Sequence, residues 1–343
     1  MTIDPNCNIV VAGAGSVGCY LGGRLAAAGR NVTLLLRPSL AEAISQHGMR
    51  VSDLDRRDEI IEATQTKATS DAEAALRSAD VVLVTVKAGD TASISHLIGQ
   101  HAPKDAIVVS LQNGVENADI LRSALAHRVA AGMVPFNVVQ TRAHGQPPRF
   151  HRASSGTLQV EAGFDGLRDL LDVPRANFEE NDDIRAVLWG KLLVNLNNGL
   201  NALSGLSLIE QLGDRRWRLL FSRQMREGLA VLRAAGIRAG SIEGVPPRLT
   251  AFALRLPDRL FRLASRRTMA FDRNARSSMW EDLQARRPTE IEFIQGQIVR
   301  LAGAHGLRVP LNSRVMHLIK EAETAGKGSP SLTPEAVGNG IAS

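Results

Sequence analysis

The sequence predicts an α/β chain, with a doubly wound parallel sheet in its first half and an all-helical region after it. Three observations predict this. Short unbroken apolar runs alternate with helical stretches up to about residue 181. Past Asn181-Asp182-Asp183 the apolar residues recur at helical spacing and no convincing strand follows. Between the first apolar run and the first helical stretch lies a glycine-rich turn, Gly13-Ala14-Gly15-Ser16-Val17-Gly18. Runs that are apolar at every position fit parallel strands covered on both faces, and strand–helix alternation is how such sheets are wound.

Taken in order, residues 8–12 (NIVVA) form the first strand and residues 32–36 the second. Residues 81–86 (VVLVTV) are the clearest strand, followed by 107–111 and 129–134. Residues 156–161 add a late strand after a polar loop around Gly145-Gln146-Pro147-Pro148. In the second region Asp183 is placed to cap a helix running from Ile184 through Leu200. Leu249, Phe252, Leu256, Leu260 and Leu263 then recur at helical spacing, with Arg248, Arg255, Arg259, Arg262 and Arg266 between them, the reading of a solvated amphipathic helix. Pro257 must break or kink that run. The segment after Gly326 reads as a disordered tail. The expected domains are therefore residues 1–181, 182–325 and a tail over 326–343.

Composition narrows the class. With 343 residues, 44% of them hydrophobic, the chain has material for two real cores. No apolar run reaches the roughly 20 residues of a membrane helix, and the start lacks the pattern of a secretory signal. Only two cysteines occur, Cys7 in front of the first strand and Cys19 in the first helix, and bridging them would distort both. A cytoplasmic setting is the expectation. The formal charge of +6 suits an anionic ligand, while 4% aromatic residues and a single tyrosine, Tyr20, speak against base stacking on nucleic acid.

The glycine turn points to a dinucleotide. Gly13 permits the tight turn, Gly15 lets a pyrophosphate approach the backbone, and Gly18 lets helix and strand pack closely. The helix entered at Val17, just after Ser16, offers free N–H donors and a positive field. The second strand ends in Leu36-Arg37-Pro38. An acidic residue there would take the ribose 2′-hydroxyl of NAD, whereas Arg37 favours the 2′-phosphate of NADPH. Lys87 follows the strand 81–86 at the carboxyl edge of the sheet, where it meets either that phosphate or the substrate. Asn113, in Asn113-Gly114, occupies the equivalent edge after 107–111 and is open to ribose or substrate; a plain turn is the bland reading.

The second signal is the helix around Lys191, Asn195 and Asn198, which project from one face. Asparagine is a poor helix former, so this polar stripe in an apolar helix needs a reason. A lysine there would be partly desolvated and its pKa lowered. Further on, Ser278 and Glu281 read as a capping box, and Pro288-Thr289-Glu290 as the first turn of the next helix.

Together, the glycine turn, Arg37, Lys87, Gln112-Asn113-Gly114, Lys191 with its asparagines, and Ser277-Ser278-Met279 followed by Pro288-Thr289-Glu290-Ile291-Glu292 resemble the ketopantoate reductase (2-dehydropantoate 2-reductase) family, over about residues 8 to 320. The resemblance implies a Rossmann domain, a helical domain, an active site in the cleft between them, and NADPH-dependent reduction of 2-dehydropantoate to pantoate on the way to pantothenate and coenzyme A. It implies that Lys191 is the general acid and that Glu290 holds the substrate hydroxyl and borders the cofactor. It further implies that Ser278 binds substrate and that Asn113, Asn195 and Asn198 orient substrate or nicotinamide. Two positions depart from the family pattern: Gly199 stands where a second asparagine is usual, and Ala275, beside Asn274, where another is frequent. Both bear on the substrate, so a paralogous reductase of another small 2-keto acid is the nearest alternative. A non-catalytic NADP-binding sensor is a more distant one. The arginine-rich stretch 248–287 serves either to draw in anionic ligands or as a homodimer contact, and no nucleic-acid or membrane partner is expected.

Overall fold

The structure is a computed structural model that describes residues 3–55, 57–143, 145–265 and 275–339. Arg266, Asn274 and the last four residues of the tail, all named above, lie outside them. The chain divides into two compact units, Met1–Ile184 and Arg185–Ser343.

Among the described residues, the first unit holds every strand. These are β1 (Asn8–Ala12), β2 (Asn31–Leu35), β3 (Met49–Ser52), β4 (Asp58–Ile61), β5 (Lys67–Thr69), β6 (Val81–Val84), β7 (Ile107–Ser110), β8 (Arg128–Met133), β9 (Val138–Thr141), β10 (Arg149–Arg152), β11 (Leu158–Glu161) and β12 (Phe178–Asn181). Its helices are α1 (Ser16–Ala27), α2 (Pro38–His47), α3 (Ala72–Leu76), α4 (Thr91–His101), α5 (Asn117–Ala124) and α6 (Leu167–Leu171). The main sheet has eight strands in the order β12-β11-β8-β7-β6-β1-β2-β5. It is parallel from β5 to β8, and β11 joins β8 antiparallel.

Alternation along the central strands explains why they are apolar throughout. Ile9, Val11, Leu34, Leu83 and Val109 face the side packed by Leu21 and Leu25 of α1. Val10, Leu35, Val82, Val84 and Val108 face the other side, against Ile94, Ile98 and Leu121 of α4 and α5. Burial on both faces disfavours polar residues, and the buried Ser110 at the end of β7 is hydrogen-bonded to Gln112.

A second sheet, ordered β4-β3-β10-β9, was not legible in the sequence. Its strands are four residues long and mix Asp58, Glu59, Arg149 and His151 with apolar positions, so no run stands out. The polar loop expected around Gly145 is the connection between β9 and β10. α1 packs on this sheet as well as on the main one. Across the contact the buried Arg24 guanidinium donates to Asp53 (2.5 Å) and Glu59 (2.8 Å), and the Tyr20 hydroxyl donates to Asp53 (2.5 Å).

The second unit is helical: α7 (Ile184–Asn195), α8 (Asn197–Ser204), α9 (Leu208–Gly213), α10 (Arg215–Ala234), α11 (Pro247–Ala253), α12 (Asp258–Ser265), α13 (Ser278–Gln284), α14 (Ile291–Ala304), α15 (Pro310–Ala325) and α16 (Pro334–Gly338). Three expectations need correction here. The helix expected from Ile184 to Leu200 is two helices that meet at Leu196. The Leu/Phe run 249–263 breaks before Pro257 into two helices, as expected, but its stripe does not pack: Leu249, Phe252, Leu260 and Leu263 are exposed, while Ala251, Leu254 and Phe261 turn inward. The break at Pro257 resets the helical phase, so one stripe cannot serve both pieces. Buried Arg218 of α10 holds this corner, stacking on the Phe261 ring and donating to the Leu256 carbonyl (3.1 Å) and to Asp258.

The third correction concerns the tail, which is ordered through Asn339. The Ser329 hydroxyl donates to the Ala202 carbonyl (2.7 Å) and the Leu332 N–H to the Leu203 carbonyl (2.8 Å). Those carbonyls belong to the last turn of α8, where the helix itself runs out of N–H donors. Thr333 caps α16, and Val337 is fully buried.

Both cysteines are free and buried. Among the described residues, no cluster of metal-ligating side chains occurs and no helix is long and apolar enough to cross a membrane.

Candidate functional site

The glycine turn is built as its sequence requires. Gly13 adopts φ +76°, and a Cβ there would overlap the Val86 side chain. A Cβ at Gly18 would run into Thr85 and Val11, so α1 can lie this close to the sheet only without one. Gly13 N and Ala14 N donate to the Leu35 carbonyl (3.1 and 3.0 Å), tying the turn to the end of β2. At Gly15 the N-cap of α1 carries no side-chain cap, and a Cβ there would meet nothing within 4 Å. The first N–H groups of α1 thus have no side-chain cap, and the space beside Gly15 is open, as a pyrophosphate approaching the turn requires.

Arg37 is exposed as the N-cap residue of α2, one residue beyond Leu36 and two beyond the end of β2. Lys87 and Asn113 follow β6 and β7 and are both partly buried. Lys87 precedes a short 3-10 turn, Ala88–Asp90.

Four buried residues, Gln112 from the Gln112-Asn113-Gly114 motif and three that the sequence did not single out, join the Lys87 and Asn113 loops. The Ser110 hydroxyl donates to Gln112 Oε1 (3.1 Å), and Gln112 Nε2 donates to Thr91 Oγ1 (2.8 Å). Thr91 Oγ1 lies 2.8 Å from the Ala88 carbonyl and 2.9 Å from Asn117 Oδ1. Asn117 Nδ2 donates to the Asn113 carbonyl (2.6 Å). Buried polar groups are tolerated when satisfied in this way, and here they set one loop against the other. The sequence offered one signal: polar residues at and just past the end of β7, Ser110 and Gln112.

In the second unit, Lys191 and Asn195 lie one turn apart on α7, and Asn198 lies on α8. Asn195 is buried and Lys191 partly so. Burial lowers the Lys191 pKa to about 8, opposed by the charge of Glu243, which raises it. This is the desolvated lysine the stripe suggested.

Ser278 does not cap its helix. Ser277 does: its backbone is extended and its hydroxyl accepts from Trp280 N (3.3 Å). The Ser277 N–H donates to Asn201 Oδ1 (2.8 Å) and its hydroxyl to the Asn198 carbonyl (3.0 Å). Asn201 thus fixes Ser277 as the last non-helical residue, and Ser278 becomes the first residue of α13. Its hydroxyl is relieved of the capping role. The same bonds bring Ser278 to the helix that carries Asn198. Ala275, at a departure position, is buried and its carbonyl accepts from Leu208 N (2.8 Å).

Glu290 also sits one position away from expectation. It is the N-cap of α14 rather than part of the first turn, and it is buried. The reason lies next door. The Thr289 hydroxyl accepts from Ile291 N (3.2 Å), and the Glu323 carboxylate accepts from both the N–H and the hydroxyl of Thr289 (each 2.7 Å). Glu281, expected in the capping box, is instead a partly buried acid. Burial and the neighbouring Asp282 push its pKa up to about 7, while Arg287 opposes.

A doubly wound sheet with main-chain donors at a glycine turn, coupled in one chain to a helical unit with a lysine of lowered pKa, defines a dinucleotide-dependent oxidoreductase. Two family models make this particular. Ketopantoate reductase PanE/ApbA matches residues 9–163, and ketopantoate reductase PanE/ApbA C terminal matches residues 183–323. The chain belongs to the ketopantoate reductase family. It is 28% identical to the 2-dehydropantoate 2-reductase of Halobacterium salinarum, over 93% of this chain and 99% of that one. It also resembles the PanE/ApbA family ketopantoate reductase of Ralstonia eutropha JMP134, with TM-score 0.77, 32% identity and coverage of 93% and 99%. D-mandelate dehydrogenase, in a ternary structure with NADH and anilino(oxo)acetate, shares the fold at TM-score 0.73 and 20% identity, over 93% of this chain and 99% of that one.

Proposed function

We propose that this protein reduces 2-dehydropantoate to pantoate with NADPH, as a step toward pantothenate and coenzyme A, and that Lys191 is the general acid. The observation that carries the reading is the Lys191 ammonium, with its pKa brought to about 8 on the same helix face as Asn195. A general acid works best with a pKa near the working pH.

The residues at the glycine turn fit the cofactor. The N–H groups at the start of α1 receive the pyrophosphate, and Arg37 receives the 2′-phosphate. When bound, NADPH supplies a hydride to the keto carbon. Lys191 gives its proton to the ketone oxygen as negative charge grows there, and its cation stabilises that charge beforehand. Ser278 holds the substrate carboxylate, Glu290 accepts the substrate hydroxyl, and Asn113, Asn195 and Asn198 orient the reacting groups.

A second reading has one observation in its favour: Gly199 and Ala275 remove two amides from the expected pocket. The substrate would then be another small 2-keto acid. NADPH oxidation monitored with 2-dehydropantoate and a panel of 2-keto acids tests both. Turnover with 2-dehydropantoate, and preference for NADPH over NADH, is expected. Turnover only with other keto acids would replace the first reading by the second, and no turnover with any would remove both.

A further inference from the structure

Gly199 leaves no vacancy. A Cβ built on it would lie 2.8 Å from Val315 Cγ1 and 2.9 Å from Gln295 Nε2. The place a side chain would take is already filled by Gln295, which reaches across from α14 and is fully buried. Its Nε2 donates to the Leu196 carbonyl (2.8 Å), and Leu196 is the single residue between α7 and α8. Its Oε1 is buried with no hydrogen-bond partner.

Three links of the proposed site converge here. Lys191 and Asn195 precede the junction, Asn198 follows it, and Glu290 stands five residues before Gln295 at the start of α14. Leu196 itself keeps helical dihedrals, φ −55° and ψ −27°. The helical phase therefore runs through the junction, and the Gln295 amide is the side chain bonded to its carbonyl. A buried amide with an orphan acceptor is costly, and an apolar residue of the same size would pack there at less cost. That is the pattern of a residue kept for geometry rather than for stability.

We infer that Gln295 is a positioning residue that fixes the junction between the helix of Lys191 and Asn195 and the helix of Asn198, and that Gly199 is the opening this side chain requires. The inference rests on the reading of Lys191 as the general acid. It also gives the departure at 199 a cause: glycine and glutamine form one unit, and an asparagine at 199 would displace Gln295.

The test is made on the full-length protein, with wild-type turnover of 2-keto acids measured first. Gln295→Met keeps the volume and loses the donor. Its melting temperature is expected to match or exceed wild type. Its kcat is expected to fall at least about tenfold, since small misplacement of a catalytic group is that costly, with NADPH binding by fluorescence unchanged. A role in packing alone would instead lower the melting temperature and leave kcat intact, and that result overturns the inference. Should Gln295→Met not fold, Gly199→Ala and the pair Gly199→Ala with Gln295→Ala decide. The single change is expected to lose both stability and kcat. The double change should recover stability alone; recovery of kcat as well would show that the amide is dispensable. A wild type that turns over no keto acid sinks the inference together with the reading beneath it, whereas an active wild type with an equally active Gln295→Met sinks the inference alone.

Discussion

The two candidate regions are made of different material. At the glycine turn the groups on offer to a ligand are main-chain N–H donors, and side chains are absent where they would crowd the turn. On α7 and α8 the groups are side chains, and the backbone that carries them is held by other buried amides: Asn201 on Ser277, Gln295 on Leu196. A site of the first kind has fixed charge and no titration. A site of the second kind depends on protonation and on the packing of residues that never touch the ligand. Changes in the second unit should therefore act on turnover and pH response, and changes in the first on cofactor choice.

The largest expected effect is at Lys191. Lys191→Ala should lower kcat at least about a hundredfold, the lower end for a lost general acid, with NADPH affinity unchanged. Stopped-flow turnover beside cofactor titration measures both, and near wild-type kcat would take Lys191 out of the chemistry. Next in size is Arg37→Asp, which should move the NADPH-to-NADH ratio of kcat/KM by about ten- to a hundredfold, the weight of a charge-assisted hydrogen bond. An unchanged ratio would mean that another group reads the 2′-phosphate.

The third test is pH. The acid must be protonated, so kcat should hold below pH 8 and decline above it. The folded-state pKa lies below the ordinary lysine value, so between the two the unfolded chain holds more protons and stability rises with pH. Activity and stability should thus move in opposite directions across that window. Glu243→Gln removes the charge that raises the Lys191 pKa and should shift the break to lower pH. Turnover flat across the window would separate Lys191 from the rate.

The smallest effect is at Glu281, an acid with its pKa raised to about 7. The folded chain holds its proton more tightly than the unfolded chain, so this group's contribution falls as pH rises from the ordinary carboxylate range toward 7, and it is destabilising above that. Glu281→Gln should raise the melting temperature by about 2–4 °C at pH 8, the shift expected for roughly 1 kcal/mol in a unit of this size, and leave it unchanged near pH 4. Equal gains at both pH values would point to packing instead.

The same contrast decides what could be read in the sequence. β1, β6 and β7 were legible because burial on both faces keeps their centres apolar, and the glycine turn because each glycine answers a separate steric demand. Lys191 and Asn195 stood out as polar residues in an apolar helix. The β3–β4 and β9–β10 pairs were not legible, since four-residue strands with charged outer positions have no periodicity to detect. Ser277 and Ser278 could not be told apart, because both are good caps and the choice is made by Asn201, far away in the chain. Gln295 gave no signal: a glutamine in a helix is ordinary, and only its distance to Leu196 and Gly199 makes it otherwise.

Cys19 lies four residues beyond Gly15 on α1, with its thiol pushed up by burial and donating to the Ala14 carbonyl (3.2 Å). A thiol reagent reaches it only when the start of α1 lifts from the sheet. The rate of alkylation is therefore a clock for local opening at the cofactor loop, running in the native protein without a label. NADPH should slow it.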